Sequence, residues 1–131
     1  IFNKQMKFYK NCLEIFANSG YQVVVSVGSK VEIADLGYVP ENIVVCSYVP
    51  QLEILKHSSV FITHGGANSI YESICSSVPM VVIPQAYDQF MGAEMVKSAG
   101  AGINLKDYKM DTSSLMEAVL EVLNNKKYKE K

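Results

Sequence analysis

The chain has 131 residues, 49% of them hydrophobic, and a formal net charge of −1. That length bounds it at one domain with ample material for a core. The near-neutral balance argues against nucleic acid or an anionic membrane surface as a partner, and no apolar run approaches the roughly 20 residues that span a bilayer.

In chain order, residues 2–18 carry apolar side chains at Phe8, Cys12, Ile15 and Phe16, a helical period, with Asn18, Ser19 and Gly20 as its stop. Residues 22–27 are apolar and β-branched on nearly every position, which predicts a parallel strand buried on both faces. Residues 31–38 read as a loop with one helical turn, and 43–46 as a second strand. Pro50 opens a short helix through His57, since proline suits the first turn. A third strand over 60–63 is followed by a helix over 67–76, a fourth strand over 80–83 ended by Pro84, and a helix over 89–99 closed by Gly100. Residues 102–105 make a fifth strand. Asp111, Thr112 and Ser113 offer N-caps to a last helix through Asn124, with Leu115, Val119, Val122 and Leu123 on one side. Met91 and Met95 read as core packing, His57 as solvated, and the lysine-rich residues 126–131 as a frayed end.

Strands alternating with helices predict an α/β fold, a parallel sheet with helices on both faces. Ligands of such sheets bind at the carboxyl ends of the strands, so Ser29, Tyr48, His64 and Asp88 are expected on one rim. Cys12, Cys46 and Cys75 lie in apolar segments without motif spacing, which predicts reduced core thiols and a cytoplasmic setting. The start at Ile1, inside a helical pattern, predicts a piece of a larger protein.

The chemistry concentrates in residues 59–89. Val60, Phe61 and Ile62 run into His64, Gly65 and Gly66, and an amphipathic segment opens at Ala67. A glycine turn between a strand and a helix start gathers free backbone N–H groups and the positive end of the helix dipole, a place for a phosphate. His64, Asn68 and Ser69 add side-chain donors. Glu72 lies one turn beyond Asn68 and can accept from sugar hydroxyls. Each has an ordinary structural alternative: a core histidine, helix caps, a surface acid. Capping and phosphate contact are compatible at a helix start.

These residues resemble the donor-binding signature of the family 1 glycosyltransferases. Its H-x-G-x-N-S-x-x-E stands here as His64 to Glu72, and its W-x-P-Q as Tyr48-Val49-Pro50-Gln51. A V-P and a P match Val78-Pro79 and Pro84, and the closing D-Q matches Asp88-Gln89. The phrases VVVSVGSK and FITHGGANS are most like the bacterial macrolide-type enzymes. The resemblance implies a GT-B architecture of two Rossmann-like domains, of which residues 1–131 would be most of the C-terminal, nucleotide-sugar donor-binding one. The first strand of that domain and the N-terminal acceptor domain would lie outside the chain.

The resemblance also implies roles. Tyr48, where many members have Trp, would stack on a uracil, Val49 would meet the base edge through its backbone, and Gln51 would lie near base or ribose. His64, Gly65, Gly66, Asn68 and Ser69 would hold the phosphates, Glu72 both ribose hydroxyls, and Asp88 with Gln89 the donor sugar. Ser29 is a further candidate nucleotide contact. Ser77 stands where many members have Gly before Val-Pro, a departure expected to be tolerated. The implied reaction moves a hexose, taken as glucose, from a UDP-sugar to a hydroxyl of a small lipophilic acceptor, with inversion and without a metal or other cofactor. The catalytic base, a His paired with an Asp, would belong to the N-terminal domain. No residue here is assigned as catalytic, and the chain alone is expected to be inactive. The alternatives are the donor subunit of a split GT-B enzyme, a UDP-sugar epimerase-like domain, which the D-Q ending and the preceding P-Q counsel against, and a domain without ligand, which the retained polar set disfavours.

Overall fold

The computed structural model describes residues 2–17, 19–27, 33–63, 65, 67–84, 87–105 and 112–125. Ser29, His64, Gly66, Asp111, the lysine-rich end and the side chain of Asp88 lie outside the described part. The chain divides into two compact units, Ile1–Val49 and Pro50–Lys131.

The first unit contains α1 (Phe2–Phe16), β1 (Val23–Ser26), a 3-10 turn (Ile33–Leu36) and β2 (Ile43–Cys46). The two strands pair in parallel with Val23 opposite Ile43 and Ser26 opposite Cys46. Cys12, Leu13 and Phe16 of α1 are buried, as are Val27, Leu36 and Ile43. The helix end is tied to the sheet by Asn42, whose Nδ2 donates to the carbonyls of Phe16 (2.7 Å) and Tyr21 (2.8 Å). The bond to Phe16 satisfies a carbonyl that has no intrahelical partner. The expectation that β1 is buried on both faces does not hold. Its exposure alternates along the strand, and Val24 and Val44, paired across the ladder, remain 40% and 47% exposed. β-branching fixed the strand, but burial of each face depends on what packs there, and no described element covers this one.

The second unit runs α2 (Gln51–Lys56), β3 (Phe61–Thr63), α3 (Ala67–Cys75), β4 (Met80–Val82), α4 (Tyr87–Ser98), β5 (Gly102–Asn104) and α5 (Thr112–Asn124). Its three strands form a parallel sheet in the order β3-β4-β5. β4 is central, and Met80, Val81 and Val82 are each fully buried, so both of its faces are covered. Met80 and Val82 pack with Ile70 of α3, Ala93 and Val96 of α4, and Ala101, with Phe61 against the group. α5 packs on β4 and β5 and buries Leu115, Val119 and Val122. A continuous apolar run in the middle strand with helices on both sides is the arrangement that such a run requires. Gly102 sits opposite Met80 in the ladder, and a Cβ there would run into the Met80 carbonyl oxygen.

Three expectations are corrected. Met91 and Met95 are 76% and 55% exposed rather than core, because α4 turns Ala93 and Val96 inward instead. Cys12 is buried, but Cys46 is only half-buried and Cys75 is exposed on the outer face of α3. α4 begins at Tyr87, two residues earlier than expected, so Asp88 and Gln89 lie in its first turn.

Candidate functional site

The candidate site is built where β3 ends and α3 begins. After Thr63 the chain turns through Gly65, whose φ is +95°, a conformation that L side chains rarely adopt. Its N–H donates to Thr63 Oγ1 at 3.2 Å. The turn is close-packed: a Cβ on Gly65 would lie 2.8 Å from Val82 Cγ1 and 3.2 Å from the Gln89 carbonyl oxygen. From the other side, a Cβ on Gly92 would lie 2.7 Å from the Gly65 carbonyl oxygen and 2.8 Å from Ile70 Cδ1. The end of β4, the first turns of α4 and the head of α3 therefore meet at the glycine turn. Gly65, Asn68, Ser69, Gln89 and the backbone of Asp88 come together at the carboxyl edge of the sheet, where α/β sheets bind their ligands.

α2 packs against α3 and adds a polar side chain. Gln51 Nε2 donates to Glu72 Oε1 at 2.5 Å and lies 3.4 Å from Ser69 Oγ. All three residues are half-buried, while Asn68 is exposed. Ser69 and Glu72 are three residues apart on the helix, so they share the face that α2 covers. The sequence singled out all three residues, but not the bridge between them.

Below this face, Ser73 is fully buried and its Oγ donates to the Val78 carbonyl at 2.7 Å. This bond was not anticipated, and a serine inside an apolar helix face was the available signal. It fixes the loop from α3 to β4. On the opposite side of α3, Tyr71 is 69% exposed, and its hydrogen bond with Cys75 one turn on raises its phenol above the ordinary value.

Tyr48 and Val49 follow β2 in the first unit, and the Tyr48 ring is 72% exposed. His57 ends α2 and is exposed, as expected. Among the described residues, no three His, Cys, Asp or Glu side chains cluster as metal ligands. No described helix is long and apolar enough to cross a membrane.

A parallel α/β sheet with a glycine turn feeding a helix whose first turns carry Asn, Ser and Glu belongs to the nucleotide-binding class of folds. The sequence pattern of the UDP-glucoronosyl and UDP-glucosyl transferases matches residues 14–131, and the chain belongs to that family. It is 45% identical, over its whole length, to an uncharacterized UDP-glucosyltransferase, YojK, of Bacillus subtilis, of which it covers 32%. It is 37% identical to the oleandomycin glycosyltransferase of Streptomyces antibioticus over 95% of this chain and 29% of that protein. Among solved structures, the glycotransferase of kitacinnamycin superposes with a TM-score of 0.86 at 38% identity, over 94% of this chain and 32% of the other. The spinosyn rhamnosyltransferase SpnG complexed with thymidine diphosphate superposes at 0.80 with 25% identity, over 95% of this chain and 34% of the other. The fold is that of the GT-B glycosyltransferases. The chain spans about a third of the length of these relatives.

Proposed function

We propose that the chain is the donor-binding part of an inverting glycosyltransferase. In this reading the enzyme transfers a hexose, glucose in the first instance, from a UDP-sugar to a hydroxyl of a small lipophilic acceptor. The observation that carries the proposal is the half-buried Gln51–Ser69–Glu72 group set beside the Gly65 turn. It combines acceptors for sugar hydroxyls with a helix start for a diphosphate. The thymidine diphosphate bound to a solved relative supports a nucleoside diphosphate as the ligand class.

Chemically, the leaving UDP gains negative charge on its β-phosphate as the glycosidic bond breaks. Backbone N–H groups at the head of α3, with His64 and Ser69, stabilise that charge, and pre-aligned donors there need no reorganisation during the reaction. Glu72 holds the ribose, Tyr48 stacks on the base, and Asp88 and Gln89 orient the sugar for in-line attack. The acceptor and its catalytic base belong to the part of the enzyme outside this chain, and no metal or other cofactor is assigned. The buried thiol of Cys12 is consistent with a reducing, cytoplasmic setting.

The test is calorimetric titration of the chain with UDP, with ADP as control, followed by Glu72→Ala. UDP-selective binding that falls at least tenfold in Glu72→Ala is expected. A folded chain that binds neither nucleotide, or binds both alike, refutes the proposal.

A further inference from the structure

Gln51 donates to Glu72, and the chemistry of the two groups fixes which way its amide points. A carboxylate only accepts, so the amide must turn its nitrogen, not its oxygen, toward Glu72. Nε2 carries two N–H groups. One meets Glu72 Oε1 at 2.5 Å, and Ser69 Oγ lies at 3.4 Å from the same nitrogen. With its donors directed to α3, Gln51 has only its carbonyl oxygen left for a ligand, and Glu72 keeps Oε2. The bridge joins the first residue of α2 to the second turn of α3, elements packed against each other. It therefore removes much of the rotational freedom that a glutamate on a helix surface would otherwise keep.

We infer that Gln51 is a positioning residue that sets selectivity for ribose over 2′-deoxyribose. Held this way, the pair presents two acceptors and no donor, the complement of a vicinal diol, which offers two O–H groups. A 2′-deoxynucleotide supplies only one of them and leaves a half-buried acceptor without a partner, the situation in which hydrogen-bonding sites discriminate most strongly. Without Gln51, Glu72 still accepts, but from a mobile carboxylate that can follow a single hydroxyl. Affinity for the ribonucleotide then falls more than affinity for the deoxynucleotide. This inference rests on the donor-site function proposed above.

The experiment compares UDP with 2′-deoxy-UDP by calorimetry on the chain, on Gln51→Ala and on Gln51→Glu. The last keeps the size of the side chain and removes its N–H donors. The parent is expected to prefer UDP by about tenfold or more, and both variants to reduce the preference to within about threefold through weaker UDP binding. Equal weakening of both nucleotides, with the preference unchanged, means that Gln51 only supports the fold, and overturns the inference while leaving the donor site intact. UDP binding by the parent without a 2′ preference overturns it as well. A parent that binds no UDP overturns the donor site and the inference together.

Discussion

α3 and α4 end in the same way but with different residues at the critical position. At the end of α3, the Ser77 N–H donates to the Ile74 carbonyl at 3.0 Å and the Val78 N–H to the Ser73 carbonyl at 2.9 Å. At the end of α4, the Gly100 N–H donates to Lys97 at 3.1 Å and the Ala101 N–H to Val96 at 3.0 Å. These paired bonds define a Schellman motif, whose C′ residue must be left-handed. Ser77 has φ +59° and Gly100 has φ +72°. A left-handed conformation costs an L-residue about 1–2 kcal/mol, and glycine's extra freedom in the unfolded chain offsets about 0.5–1 kcal/mol of that. Ser77→Gly is therefore expected to stabilise the protein by about 0.5–1 kcal/mol. For a chain of this size that raises the thermal midpoint by about 2–4 °C. Gly100→Ala, the reverse change at the matching position, is expected to lower the midpoint by a similar or larger amount. The assay is thermal unfolding followed by circular dichroism. A midpoint for Ser77→Gly that is unchanged or lower, with Gly100→Ala destabilising, would refute the reasoning.

Gly102→Ala is expected to destabilise by about 2–3 kcal/mol, the upper range for overpacking, because its Cβ would run into the backbone of the central strand at Met80. Urea denaturation measures this, and a loss below 0.5 kcal/mol, an order-of-magnitude threshold for a neutral change, would contradict it. Burial pushes the Cys12 thiol from 9.0 up to about 12. Its unfolded form ionises first as pH rises, so the folded state binds the extra proton between about pH 9 and 12 and loses stability there, by at most about 1.4 kcal/mol per pH unit. Below that window the contribution is fully present. Cys12→Val should flatten the alkaline slope relative to the parent. In the folded protein at pH 8, iodoacetamide should label exposed Cys75 and spare Cys12; equal labelling would contradict the burial.

The glycine turn, the helix that follows it and the placement of Ser69 and Glu72 on that helix were legible in the sequence. Turn chemistry, helix starts and an i, i+3 spacing are all local. The apolar run at Met80, Val81 and Val82 likewise declared a strand covered on both faces, since no other placement keeps three such side chains from water. The same logic misplaced β1, whose Val24 is exposed, because β-branching favours a strand without specifying what lies over it. It also misplaced Met91 and Met95. The apolar positions of α4 leave more than one face open to burial, and Gly65 and Ile70 packing against Gly92 decided which one turns inward.

The sequence by itself determined the family, the order of elements and which residues carry polar chemistry, because these depend on identity and short spacing. Only the tertiary structure joined Gln51 to Glu72 across 21 positions, set the Gly65 carbonyl against α4, and put Ser77 into a left-handed turn that a serine adopts only at a cost. Contacts of this kind follow from how helices pack on a sheet. Packing is a property of all the surrounding side chains together, which no local stretch of sequence encodes.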